Sequence, residues 1–122
     1  MKTIRTKEEL KEGLKNNEKE FKVVDKKLIR ALAVQFWIQK NPIKGTALLA
    51  ALPVAAGAMA VSAPVAAIVG TGLTIGSVTI TVAEIVTIGL LIIALTAVLK
   101  GQKIKEININ TGDGTGGTVK FD

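Results

Sequence analysis

The sequence predicts a mainly α-helical membrane protein: a two-helix transmembrane hairpin with a small cytoplasmic α+β piece formed from both termini. Three observations lead there. Residues 45–83 are 39 consecutive positions without a charge, and residues 85–99 are another 15. A helix facing water needs a polar side, whereas a bilayer core accepts about 20 predominantly apolar residues per span. Basic residues flank the block, with Lys40 and Lys44 before it and Lys100, Lys103 and Lys105 after it, while the connection 70–77 carries none. The positive-inside bias therefore places both termini in the cytoplasm, with a multi-pass segment in the inner cell membrane. The chain divides accordingly: 1–44 as a basic β-α-β-α region with an interfacial helix, 45–99 as the transmembrane hairpin, and 100–122 as a β-hairpin tail.

Residues 1–25 read as β-α-β. Thr3-Ile4-Arg5 suits a short strand. Thr6 then stands as an N-cap, with Glu9 completing a capping box over a helix from Lys7 to Asn16. Glu20–Val24, with Phe21, Val23 and Val24, suits a second strand. Asp25 caps a following helix, Lys26–Gln39, which begins basic and ends apolar. Phe36 and Trp37 near its end precede Lys40 and Lys44, the pairing of rings and ammonium groups that an interfacial anchor uses, with Lys100 its counterpart after the block. Equally, this helix can pack its apolar face on the small sheet.

The first span is expected over Gly45–Val69. Ten alanines, with pairs four apart at Ala47/Ala51, Ala51/Ala55, Ala56/Ala60 and Ala63/Ala67, make a small-residue face suited to close helix association. Pro53 and Pro64 are expected to kink it. Gly70–Ser77 reads as the outer turn, and Leu73–Leu99 as the second span. From Ser77 to Val82 polar and apolar residues alternate as in a strand, but a lone strand in lipid leaves its backbone unpaired, so a helix is expected. In the tail, Ile104, Ile107 and Ile109 form one arm and Val119 and Phe121 the other, around a Gly-rich turn at 111–117. These arms can join the amino-terminal strands in one small mixed sheet.

Glu84 is the one charge within residues 45–99. An ionised carboxylate in a bilayer costs on the order of 2.5–3.5 kcal/mol, so it is expected to face a bundle interior. On a continuous helix Thr74, Ser77, Thr81, Glu84 and Thr87 share a broad stripe that would line a polar seam or pore. The competing reading leaves Glu84 protonated or near the outer headgroups. The chain has no histidine or cysteine, which removes disulfides, thiol chemistry and most zinc sites. The glycines at 112–117 lack the following helix and lysine of a phosphate loop. No cofactor is expected, and an enzyme is not. Nucleic acid is not an expected partner despite the net charge of +6, because acids are interspersed among the amino-terminal cations. Expected partners are the lipid bilayer, further copies of the chain, and a larger membrane protein. The expected function is an oligomeric pore-forming or membrane-perturbing assembly, with a non-catalytic accessory or scaffold subunit, or a filament subunit with a buried hydrophobic hairpin, as alternatives.

Overall fold

The computed structural model describes residues 1–57, 63–110 and 116–122. The amino-terminal elements fall where their local chemistry puts them. Strand β1 (Lys2–Ile4) leads to helix α1 (Lys7–Lys15), whose N-cap Thr6 accepts a 3.1 Å bond from the Glu9 amide. Strand β2 (Glu20–Val23) precedes α2 (Lys26–Lys40), and Asp25 Oδ2 accepts from the Leu28 amide at 2.8 Å. At the other end, β5 (Ile104–Ile109) and β6 (Gly117–Phe121) pair antiparallel. The four strands make one mixed sheet of order β1-β2-β6-β5, with β1 parallel to β2 and β6 antiparallel to both its neighbours. A register shift between Ile104 and Glu106 makes Lys105 an extra residue. That bulge lets Ile104 and Ile107, three positions apart, both turn to the buried face.

That face also carries Ile4, Phe21, Val23, Val119 and Phe121, and the Phe21 and Phe121 rings meet edge to face with centroids 5.9 Å apart. Helix α2 lies on it. Ala31, Leu32, Ala33 and Val34 are consecutive and all fully buried. Since four residues complete a helical turn, the middle of α2 is enclosed on every side. The sheet covers one side and further helices the other, which accounts for the unbroken apolar run in its sequence.

The central block is where expectation and structure part. It forms α3 (Pro42–Gly57), α4 (Ala63–Val69), β3 (Gly72–Ile75), β4 (Val78–Thr81), α5 (Val82–Thr87) and α6 (Gly89–Leu99). No described helix is long and apolar enough to cross a membrane. The transmembrane hairpin, the multi-pass placement in the inner membrane with cytoplasmic termini, and the pore built on them are therefore corrected: this is an α+β fold. The expected second span, Leu73–Leu99, is instead a β-hairpin followed by two short helices. Its alternating start was a true strand signal. Thr74 pairs with Thr79 and Ile75 with Val78 around Gly76-Ser77, and Gly76 has φ +62°, the positive value that a two-residue hairpin turn favours at its first position. The partner strand that a lone-strand reading lacked lies just upstream, across the two-residue turn Gly76-Ser77. Of the expected first span, α3 continues past Pro53 to Gly57, and Pro64 stands in the first turn of α4, where a missing amide donor is harmless. The Ala56/Ala60 pair and the turn centred on Asp113 extend outside the described residues.

Helix α6 packs on α2 and α1, and α3 packs on α2 and α6. Two amides tie α2 to this frame. Gln35 Nε2 donates to Ile92 O at 2.7 Å and Thr96 Oγ1 at 2.8 Å. Gln39 donates to Gln102 O at 2.9 Å and accepts from the Ile104 amide at 2.8 Å, so it acts as a strand neighbour where β5 begins.

Candidate functional site

Two features remain after the core and its ties are accounted for. One is the outer face of the helical layer. Helix α3 buries Gly45, Leu48 and Leu52, and α6 buries Gly89, Ile92, Leu95 and Leu99. The opposite sides are also apolar. On α3 Ile43 is 87% exposed, with Ala47 and Ala50 exposed along the same side. On α6 Leu90 is 70% exposed, and Ile93, Ala94 and Ala97 follow at helical spacing in partly or fully exposed positions. Single exposed apolar residues are ordinary, but a run of them on each of two helices packed together is a feature to be explained. Thr46 turns its hydroxyl back to Pro42 O at 2.8 Å, which leaves even this polar residue satisfied within the helix.

The other feature is a cleft of about 290 Å³ where the start of α2 meets α5. Lys26, Lys27 and Arg30 line one wall, and Glu84 and Thr87 the other, over an apolar floor of Ala83 and Ile88. Arg30 Nη1 donates to Glu84 Oε2 at 2.7 Å. The Arg30 side chain is 15% exposed and that of Glu84 36%. Glu84 is held from its own element as well. Thr81 is the N-cap of α5; its hydroxyl accepts from the Glu84 amide at 3.2 Å, and Glu84 Oε1 accepts from the Thr81 amide at 3.4 Å. One carboxylate thus closes a capping box and pairs a cation 54 positions away in the chain. Among the described residues, Arg30 Nε is buried without a hydrogen-bond partner.

The residues singled out in the sequence are dispersed by the fold. Thr74 is in β3, facing Thr79 across the hairpin with hydroxyl oxygens 3.4 Å apart, and Ser77 is in the turn. Thr81 caps α5, Glu84 lies in its first turn, and Thr87 ends it with its hydroxyl donating to Ala83 O at 2.8 Å. Only Glu84 and Thr87 share the cleft, and the five form no common helical stripe. Of the residues read as anchors, Phe36 and Trp37 are half-buried against the core, and the Lys40 ammonium lies 4.8 Å from the centre of the Phe36 ring. Lys44 is exposed, and Lys100 is the left-handed C-cap of α6 with φ +49°. The partner of Glu84 was missed, although a signal existed: Arg30 is the one charge between Lys27 and Lys40. Two solitary opposite charges, each inside an apolar stretch, point to each other. Among the described residues no group of three acidic, histidine or cysteine side chains is placed to hold a metal. No protein-family model, curated protein or solved structure matches the chain.

Proposed function

We propose that the chain is a non-catalytic assembly subunit that associates with further copies of itself through the outer faces of α3 and α6. The observation that carries this is the packing together of two helices whose outer sides, apart from Lys44, Thr46 and Thr96, are apolar and expose Ile43 and Leu90. A helix apolar all round is at rest only when covered all round. A second copy is the occupant that suits the face best, because a patch whose one charge, Lys44, stands at the end of α3 can complement itself about a two-fold axis with that charge left at its rim. The small residues Ala47, Ala50, Ala94 and Ala97 allow close approach of helix backbones. Two helices side by side, α3 about 24 Å long, present a footprint on the order of 400 Å². A stable dimer commonly buries about 800 Å² per partner, and the exposed Ala63 and Ala67 of α4 offer a continuation of the apolar surface.

Sedimentation velocity of the purified protein at micromolar concentration tests the reading. The expected result is a dimer or larger species that becomes monomeric in Leu90→Glu, while the circular dichroism spectrum and unfolding midpoint of the monomer stay close to the parent's. A parent chain that remains monomeric at a hundred micromolar overturns the proposal, as does a Leu90→Glu variant that assembles unchanged.

A further inference from the structure

We propose that the cleft between α2 and α5 binds a small oxyanion of the phosphomonoester type, independently of any assembly. Three cationic side chains, Lys26, Lys27 and Arg30, converge there against the single carboxylate of Glu84, so the cleft keeps a surplus of positive charge after its one ion pair is formed. That pair does not use up the guanidinium. Glu84 takes Nη1, while Nε–H of the same group is buried and, among the described residues, unpartnered. Buried donors are nearly always satisfied, so an unpaired one on a residue that lines a cleft is consistent with an acceptor from outside the chain. Arg offers planar pairs of N–H groups that match an oxyanion, and charge-assisted bonds of this kind are among the stronger ones available.

The surroundings set the ligand class. Glu84 fixes the guanidinium plane, and is itself fixed by Thr81, so the donor is held in place before a ligand arrives. Helix α2 has no acidic residue in its first turn, but its N-cap is the Asp25 carboxylate, which accepts from the Leu28 amide at the helix's positive end, so the field in the cleft is that of the three cations. Lys26 and Lys27 are exposed, which suits reversible capture of a solvated anion. Ala83 and Ile88 beneath them supply an apolar surface for a compact organic group attached to the anion. A cleft of about 290 Å³ admits a phosphate carrying a ring of benzene size.

The test uses inorganic phosphate and phenyl phosphate as probes, at constant ionic strength maintained with chloride, followed by amide NMR shifts of Ala83, Thr87 and Ile88. Phosphate can stabilise proteins by general exclusion, so site-specific shifts and not melting temperature are read. Expected is saturable binding of both probes, tighter for phenyl phosphate, with shifts confined to the cleft. Lys26→Gln with Lys27→Gln leaves the Arg30–Glu84 pair intact and should weaken binding about tenfold or more. Lys11→Gln with Lys15→Gln removes the same charge elsewhere on the surface and should leave the dissociation constant within a factor of about two. Non-saturating shifts, or equal weakening by the two double variants, would overturn the proposal and reduce the cleft to nonspecific attraction of anions.

Discussion

Gln35 shows how much one side chain can decide in this fold. It sits in the enclosed middle of α2 and is 4% exposed, yet its amide is satisfied by Ile92 O and Thr96 Oγ1 of α6. A buried amide is tolerated only when bonded, and here the bonds also set which face of α6 meets α2. Gln35→Ala removes the two bonds and leaves a cavity between the helices. A loss of about 2–3 kcal/mol is expected in urea unfolding with an unchanged m-value; a loss under about 0.5 kcal/mol would mean that the tie is incidental. Residue-scale signals of this kind were unevenly legible. The caps Thr6 and Asp25 are local devices, written in three or four neighbouring letters, and both stand where the sequence indicates. The Arg30–Glu84 pair spans 54 positions, and its one signal is that each residue is a solitary charge in an apolar stretch, which names no partner by itself. Glu84 was recognisable as anomalous, but its explanation lay in a helix that a membrane reading assigned to another compartment.

At the scale of elements, the joint between β4 and α5 carries more than its length suggests. Thr81 ends the strand, begins the helix, and binds Glu84 through both side chain and main chain. The same carboxylate is then in position to bind Arg30 of α2. Thr81→Ala therefore loosens a cap directly and an interhelical pair at one remove. A cost of about 1 kcal/mol is expected from the cap alone. The distinguishing sign is faster amide hydrogen exchange over Leu73–Ile80 as well as over α5, because hairpin and helix are tied at this residue; acceleration confined to α5 would show that the hairpin stands independently. The hairpin itself was half legible. Alternation from Ser77 to Val82 and the Gly76-Ser77 turn are both strand signals, but a strand is a claim about two segments. The second, Gly72–Ile75, is too short to announce itself by period alone. Uncharged length outweighed alternation in the sequence reading, and the structure reverses that order because each strand pairs with the other along its inner edge.

For the molecule as a whole, the uncharged block misled because hydropathy records how much apolar surface a segment holds and not what covers it. Helices α3 and α6 are as apolar as spanning segments are, yet they have 16 and 11 residues and are laid against α2. What the ends of the chain do was more legible, since the tail arms and the amino-terminal strands were expected in one sheet. The order within it was not. β6 lies between β2 and β5, so the last strand in the sequence is an inner one, while β1, the first, is an edge. Deleting residues 117–122 breaks two ladders and uncovers Phe21, Val23 and Ile107 at once. Deleting residues 2–4 removes one parallel ladder and the Ile4 side chain. The first deletion is expected to abolish cooperative thermal unfolding, whereas the second lowers stability by about 2–4 kcal/mol, the range for a large core side chain, and keeps a single transition. The first deletion removes six residues and two buried side chains and the second three residues and one, so their unequal outcome reads the inner place of β6 together with the core it carries. A cooperative transition in the 117–122 deletion, with intact near-ultraviolet circular dichroism, would require a different strand order from the one described.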